Sequence, residues 1–148
     1  MNTMFDLQQY ALQELKDTYT EHEIKVLCSL AFCKLLHYTN IDIHLKKHEF
    51  LAKSFIDKFV QIVEELKTDK PIQYILGGTE FAGIDFQLNS ETLIPRPETE
   101  ELVMWIVESG VQPGASVLDI GTGSGCIIVS LGKLLKGVQL CGVDISPE

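Results

Sequence analysis

A glycine-rich turn between two apolar runs constrains the fold of this chain more than any other feature. Residues 117–120 form a short apolar run that only Asp119 interrupts, as in a buried strand. Glycine then occupies alternate positions from 121 to 125, where the absence of a Cβ allows a sharp turn and the close approach of a ligand. Residues 126–135 carry apolar side chains around much of a helix, as expected for a helix that lies on a sheet.

A second apolar run completes the unit. Residues 138–143 have the composition of a strand, and Asp144 ends the run 19 residues after Gly125. Nucleotide-binding βαβ units place a ribose-binding acid about 20 residues after the glycine turn. One carboxylate can accept hydrogen bonds from both ribose hydroxyls. The spacing therefore predicts a βαβ unit with a nucleoside-type ligand at the carboxyl ends of its strands.

The position of Asp119 indicates which nucleoside ligand to expect. Asp119 lies two residues before the first glycine, at the mouth of the turn. A carboxylate there repels the pyrophosphate of a dinucleotide but attracts the ammonium group of an amino-acid tail. S-adenosylmethionine carries such a tail on an adenosine, and the spacing G-x-G-x-G lacks the third glycine of G-x-G-x-x-G. The residues favour S-adenosylmethionine, with a nicotinamide or flavin dinucleotide as the alternative.

Length and charge exclude several classes of function. The chain has 148 residues, 45% of them hydrophobic, which suits one ordinary domain or two small ones. A formal net charge of −9 argues against a nucleic-acid surface. The chain shows no signal-peptide pattern, no apolar run of about 20 residues and no C-x-x-C pair among its four cysteines. We expect a cytoplasmic protein that binds no metal, nucleic acid or membrane.

The chain changes character near residue 70. Thr20 and Glu23 have the spacing of a capping box, and apolar residues at helical spacing follow them. Polar residues and a proline at 68–71 predict a linker, and residues 80–88 have the alternation of a hairpin. We therefore expect an all-α bundle over residues 1–70 and an α/β domain over residues 71–148.

A second unusual stretch, I-P-R-P-E-T-E, occupies residues 94–100. Its two prolines hold Arg96 on a stiff, extended backbone. Pro97 also suits the first position of a helix, so the stretch is either only a helix start or part of a pocket wall. The predicted buried face of that helix comprises Leu102, Trp105 and Ile106.

Several segments together resemble the peptide chain release factor glutamine methyltransferases, the HemK/PrmC family. The segments that carry the resemblance are P-I-Q-Y-I-L-G at 71–77, Glu80-Phe81, the proline stretch at 94–100 and D-I-G-T-G-S-G at 119–125. Of these, Pro-Arg-Pro-Glu-Thr-Glu is specific, whereas many methyltransferases share the glycine turn. The resemblance extends from residue 71 to about residue 146.

The resemblance implies both a fold and a reaction. The fold is a small helical domain that docks the substrate, followed by the first βαβ part of a Rossmann-like class I methyltransferase sheet. The reaction is transfer of a methyl group from S-adenosylmethionine to the glutamine side-chain amide in the Gly-Gly-Gln motif of release factors. The residues expected to contact the cofactor are Asp119, Gly121, Thr122, Gly123, Ser124, Gly125 and Asp144, with Arg96, Pro97 and Thr99 in the pocket wall.

The chain departs from the family in one respect. The Asn-Pro-Pro-Tyr motif that holds the substrate glutamine in the family is not among these 148 residues, and neither are the later strands of the sheet. We therefore expect the front portion of a longer enzyme, which alone is inactive, binds the cofactor weakly or not at all, and contains no catalytic residue. An exposed sheet edge and face would also favour self-association.

Two further functions fit the same residues. One is methylation of another protein or of a small molecule with S-adenosylmethionine. The other is a non-catalytic role, in which the helical domain docks a partner protein.

Overall fold

The computed structural model describes residues 1–146, which fall into two compact units, Met1–Leu76 and Gly77 onward. The first unit is helical, and the second combines strands with helices. This arrangement confirms the predicted fold class, an α/β unit preceded by a separate all-α region. In the described part of the chain, no helix combines the length and the apolar character that a bilayer crossing requires.

Helices make up the first unit. They are α1 (Met4–Leu15), α2 (Glu21–Leu36), α3 (Asn40–Lys46), α4 (Lys53–Leu66) and the single turn α5 (Ile72–Ile75).

Capping boxes begin α1, α2 and α3. In each, a threonine side chain accepts a hydrogen bond from the N–H of the acidic residue three positions later. The carboxylate of that acidic residue accepts a hydrogen bond from the threonine N–H in return. The predicted box of α2 is confirmed, with 3.3 Å from the Glu23 N–H to Thr20 Oγ1 and 2.8 Å from the Thr20 N–H to Glu23 Oε2. Because such a cap contributes about 1 kcal/mol, these residues determine where each helix begins.

Side chains from α1, α2 and α4 fill the core of the helical unit. Phe32 of α2 stacks on Phe59 of α4, with ring centroids 5.1 Å apart, and each residue is only 1% exposed. Ile72 of α5 is buried in the same core. This unit therefore extends to Leu76, past the boundary that the sequence pattern placed at residue 70.

The second unit contains a hairpin and a strand–helix–strand segment. Its elements are β1 (Gly78–Phe81), β2 (Ile84–Gln87), α6 (Pro97–Glu108), β3 (Ser116–Ile120), α7 (Cys126–Leu134) and β4 (Gln139–Val143). The β1 and β2 strands pair antiparallel, whereas β3 and β4 pair parallel, with Leu118 opposite Cys141. The predicted hairpin and the predicted βαβ pattern are both confirmed.

Glu100 fastens the hairpin to α6. The turn residues Ala82 and Gly83 have φ angles of 49° and 70°, as in a type I′ hairpin turn. The Ala82 N–H donates to Glu100 Oε1 at 3.0 Å. Phe81 and Phe86 of the two strands pack edge to face, with ring centroids 6.1 Å apart. The hairpin is thus held by a polar bond at its turn and by aromatic packing between its strands.

The buried face of α6 differs from the prediction. Trp105 is 71% exposed and Leu102 is 41% exposed, whereas Val103 is completely buried. Ile106 and Val107 pack against the same core as Val103. The assignment of Leu102 and Trp105 to the core was wrong, because helical spacing allows either the face with residues 102, 105 and 106 or the face with residues 103, 106 and 107, and tertiary packing buries the second.

One face of the β3–β4 pair is covered and the other is open. Val117 and Leu140 contribute to the core of the second unit. On the opposite face, Leu118 is 58% exposed, Ile120 77% and Val143 45%. Alternation along the strands explains the contrast, since successive side chains of a strand point to opposite faces. Large apolar side chains therefore remain in contact with solvent on the open face.

Self-association of the sheet stays a prediction, and the open face supplies a test. We expect the average sedimentation coefficient to rise with protein concentration, because association would remove apolar side chains from water. Ile120→Lys should suppress this rise. Ile41→Lys is the matched control, since Ile41 is 72% exposed in the helical unit. A coefficient that does not change with concentration would contradict the prediction.

Candidate cofactor site

The turn between β3 and α7 depends on its glycines. Gly121, Gly123 and Gly125 have φ angles of 75°, 52° and 74°, a region that residues with a Cβ rarely adopt. Gly125 is also the residue before α7, and its carbonyl oxygen accepts the N–H of Val129 at 2.9 Å. Each glycine is therefore required by the path of the backbone as well as by access to the turn.

Hydrogen bonds fasten this turn to the end of β4. The N–H groups of Gly121 and Thr122 both donate to the carbonyl oxygen of Val143, at 2.8 and 3.1 Å. The N–H of Gly123 donates to Oδ2 of Asp144 at 2.7 Å. Three consecutive N–H groups thus bind the last residue of β4 and the acid that follows it.

A hydroxyl–carboxylate bond ties the same turn to β3. Thr122 Oγ1 donates to Asp119 Oδ2 at 2.7 Å. The residue opposite Asp119 in β4 is Gly142, and a Cβ built there would lie 2.9 Å from Thr122 Oγ1. Thr122 therefore occupies the space that a side chain at position 142 would need.

Asp144 is held by backbone donors on both of its oxygens. Besides the bond from Gly123, its Oδ1 accepts the N–H of Ser146 at 2.9 Å. The N–H of Ser146 first, and then that of Gly123, hold the pKa of Asp144 below its ordinary value of 3.8. A carboxylate offers about four lone-pair sites, so it can still accept hydrogen bonds from a ligand.

A cleft of about 180 Å³ opens between the glycine turn and the connection from β2 to α6. The residues that line it are Glu91, Thr92, Leu93, Gly121, Gly123, Asp144 and Ser146. Ligand pockets typically measure about 300–1,000 Å³. The cleft is therefore large enough for part of a nucleoside ligand, and further walls would be needed to enclose all of it.

The structure brings some of the predicted residues to the cleft and places others beside it. Gly121, Gly123 and Asp144 line the cleft, as a ribose-binding turn and acid would. The predicted residues of β3 and the glycine turn that do not line it are Asp119, Thr122, Ser124 and Gly125. Of these, Thr122 and Asp119 shape the turn through their mutual bond. Contact of any of these residues with a cofactor stays a prediction.

Arg96, Pro97 and Thr99 begin α6. Arg96 is the exposed residue before the helix, Pro97 is its first residue, and the Thr99 N–H donates to the Arg96 carbonyl oxygen at 2.9 Å. The prediction of a helix start is confirmed. The cleft is lined instead by residues 91–93 of the same connection, so a cofactor contact of these three residues also stays a prediction.

Sequence reasoning missed the wall formed by Glu91, Thr92 and Leu93. These residues follow a polar Asn-Ser pair, a common turn signal, and precede the proline stretch. That signal could have identified a loop. It could not have shown that the loop meets the glycine turn, because this contact joins residues about thirty positions apart along the chain.

Negative charge dominates the cleft. Glu91 and Asp144 are both carboxylates in its lining. Across the described residues, no group of three or more His, Cys, Asp or Glu side chains is arranged to hold a metal ion. The arrangement therefore disfavours a pyrophosphate and favours a ligand that carries positive charge.

The thiol beside the turn is not activated. Burial raises the pKa of Cys126 above 9.0, and the charge of Asp119 raises it further. A thiol with a raised pKa stays protonated at neutral pH, so Cys126 packs as a small apolar group.

Replacing Gly142 with alanine tests the packing of Thr122 on β4. The new Cβ would meet Thr122 Oγ1 at 2.9 Å, which should cost about 1–3 kcal/mol and displace the turn. We expect faster hydrogen exchange at the Gly121 and Thr122 amides. Thr122→Ala in the same background removes two of the three close atoms and should reduce this cost. An equal effect in both backgrounds would contradict the packing argument.

The titration of Asp144 tests its hydrogen bonds. Because its pKa is lowered in the folded chain, these bonds stabilise the turn above pH 3.8 and are lost as the pH falls through the lowered pKa. Carboxyl-carbon NMR should give a midpoint below 3.8, and the Gly123 amide shift should follow the same curve. Asp144→Asn should abolish that change at Gly123. A midpoint at 3.8 or above would contradict the assignment.

Comparisons with known proteins agree with the resemblance that the motifs carry. Residues 6–77 match the family model described as the PrmC N-terminal domain. The chain is 38% identical over 141 residues to a release factor glutamine methyltransferase of Flavobacterium psychrophilum, covering 93% of this chain and 50% of that protein. It is 42% identical over 140 residues to the protein of that name in Bacteroides thetaiotaomicron, covering 94% of this chain and 50% of that protein.

The chain spans about half the length of these curated relatives. A third relative, from Koribacter versatilis, bears the same name and is 48% identical over 80 residues, or 53% of this chain and 29% of that protein. The predicted resemblance is thereby confirmed. By its sequence, the chain belongs to the release factor glutamine methyltransferase family.

Proposed function

We propose that this chain is part of an enzyme that methylates the glutamine side-chain amide in the Gly-Gly-Gln motif of peptide chain release factors, with S-adenosylmethionine as donor. The observation that carries the proposal is the cleft beside Gly123 and Asp144, in a chain related to proteins named for this reaction. Ligands of parallel α/β sheets bind at the carboxyl ends of the strands, which is where this cleft lies.

The residues of the cleft fit S-adenosylmethionine. Asp144 retains lone pairs for ribose hydroxyls, and the glycine turn presents no Cβ at the cleft lining. Glu91 and Asp144 would attract the positive charge of the sulfonium or of the ammonium tail. A nicotinamide or flavin dinucleotide would instead bring its pyrophosphate next to these carboxylates, which is unfavourable.

In this proposal the chain positions the donor. When bound, S-adenosylmethionine would supply a methyl group on a positively charged sulfur. The amide nitrogen, which gives up a proton, would displace that sulfur in line, and the sulfur would leave as a neutral thioether. Asp144 and the glycine turn would hold the nucleoside, and such alignment contributes up to about 7–11 kcal/mol in oriented reactions. An amide nitrogen is a weak nucleophile because its lone pair is delocalised into the carbonyl. Preorganised acceptors must therefore hold the substrate amide, and the family motif for that role, Asn-Pro-Pro-Tyr, is not in this sequence.

The helical unit would dock the release factor. The docking domain over residues 1–70 was expected from the family resemblance, and the helical unit has a core of its own, which supports a separate role for it. Among its described residues, Ile41, Leu45 and Phe50 are 72%, 76% and 84% exposed. Exposed apolar residues of this kind are common in protein interfaces, and they support the docking role.

A chimera tests the proposed reaction. This chain would replace the matching half of the Bacteroides thetaiotaomicron relative, and methyl transfer to a purified release factor would be followed with labelled S-adenosylmethionine. We expect the chimera to label the Gly-Gly-Gln glutamine and the chain alone to label nothing. Asp144→Asn should lower kcat/KM about tenfold, because an amide accepts weaker hydrogen bonds than a charged carboxylate. Asp57→Asn, in an exposed position of α4, is the matched control.

Titration of the chain alone separates the cofactor classes. We expect weak but saturable changes in the Gly123 amide signal with S-adenosylhomocysteine and none with NAD. Saturation by NAD alone would overturn the choice of cofactor. Labelling of a different residue or of a small molecule by the chimera would instead overturn the choice of substrate.

A further inference from the structure

The connection between β2 and α6 approaches the glycine turn through one threonine. The Cγ2 methyl of Thr92 lies 3.8 Å from the point where a Cβ on Gly123 would stand, so the two residues are close neighbours. Thr92 and Gly123 both line the cleft. A displacement of Thr92 relative to Gly123 would therefore change the shape of the cleft.

Asn89 holds Thr92 in this position. The Oδ1 of Asn89 accepts the hydroxyl of Thr92 at 2.7 Å and the N–H of Glu91 at 3.0 Å. The Thr92 N–H in turn donates to the Asn89 carbonyl oxygen at 3.2 Å. One side-chain oxygen thus fixes both the backbone at position 91 and the rotamer that directs the methyl of Thr92 toward Gly123.

The residue before Asn89 anchors this arrangement to the fold. Leu88 is only 7% exposed, and its N–H donates to the carbonyl oxygen of Gly77 at 3.1 Å. Asn89 itself is exposed and does not line the cleft. A buried, hydrogen-bonded residue therefore precedes Asn89, and the loop that meets the turn follows it.

We propose that Asn89 is a positioning residue of the cofactor cleft, which sets Thr92 against Gly123 and thereby presents a preformed wall to the nucleoside ligand. This inference rests on the proposed function, since it assumes that the ligand is S-adenosylmethionine. A preformed wall raises affinity because the loop need not be ordered when the ligand binds. Loss of the two bonds to Asn89 Oδ1 should weaken binding about tenfold, as their combined net contribution suggests.

Three variants of the full chain test the proposal. Asn89→Ala removes the acceptor, whereas Asn89→Asp retains an oxygen at the same place and should rescue both bonds. Ser90→Ala, at the exposed neighbouring position, is the matched control. Circular dichroism would first establish that each variant has the helical content of the parent chain.

Two NMR measurements compare the position of Thr92 and the affinity for the ligand among these chains. In the ligand-free chain, we expect a nuclear Overhauser effect between the Thr92 methyl and the Gly123 α-protons in the parent, Asn89→Asp and Ser90→Ala chains, and none in Asn89→Ala. Titration with S-adenosylhomocysteine, followed at the Gly123 amide, should give about tenfold weaker binding for Asn89→Ala alone.

The results distinguish this inference from the proposed function. If Asn89→Ala keeps the Overhauser effect, or loses it without any loss of affinity, the positioning role is overturned while cofactor binding stands. A failure of Asn89→Asp to restore both signals also overturns it. If the parent chain shows the Overhauser effect but no response to S-adenosylhomocysteine, the inference is overturned, whereas the proposed function falls only if the chimera also fails to transfer methyl groups.

Discussion

The carboxyl end of β4 organises the candidate site by accepting three successive N–H groups from the glycine turn. The turn must present the N–H groups of Gly121, Thr122 and Gly123 to Val143 and Asp144, over distances of 2.7 to 3.1 Å. A backbone that does so passes through the left-handed region at both glycines. Residues with a Cβ are strained in that region. The hydrogen bonds of the turn therefore require glycine at these two positions.

In the proposed function, the same bonds give Asp144 two roles. Its carboxylate stabilises the turn through Gly123 and Ser146, and it faces the cleft in which a ribose would lie. A carboxylate that is already held by two backbone donors does not have to be ordered when the ligand binds. The donors also keep it ionised, since they lower its pKa. The bonds that organise the turn therefore also prepare the acid for a hydroxyl-bearing ligand.

Local sequence patterns predicted the features that depend on neighbouring residues. They failed for the features that depend on contacts between residues far apart in the sequence. The glycine turn, the hairpin and the capping box of α2 follow from short-range spacing, and the structure contains each of them. The buried face of α6 was misassigned because helical spacing fits both the face of Trp105 and that of Val103, and packing against the rest of the unit buries Val103. The wall at Thr92 escaped prediction for the same reason, since it exists only through its contact with Gly123.

The open face of the β3–β4 pair affects how firmly the glycine turn is held. A pair of strands is marginally stable without packing, and β3 and β4 are packed on one face only. Any layer that covers Leu118 and Ile120 would stabilise the pair by about 25 cal/mol for each Å² of apolar surface removed from water. Because the turn is bonded to Val143 at the end of β4, a more stable pair also holds Gly121 and Thr122 more firmly. Coverage of the open face would therefore raise the affinity of the cleft, since fewer residues would remain to be ordered by the ligand.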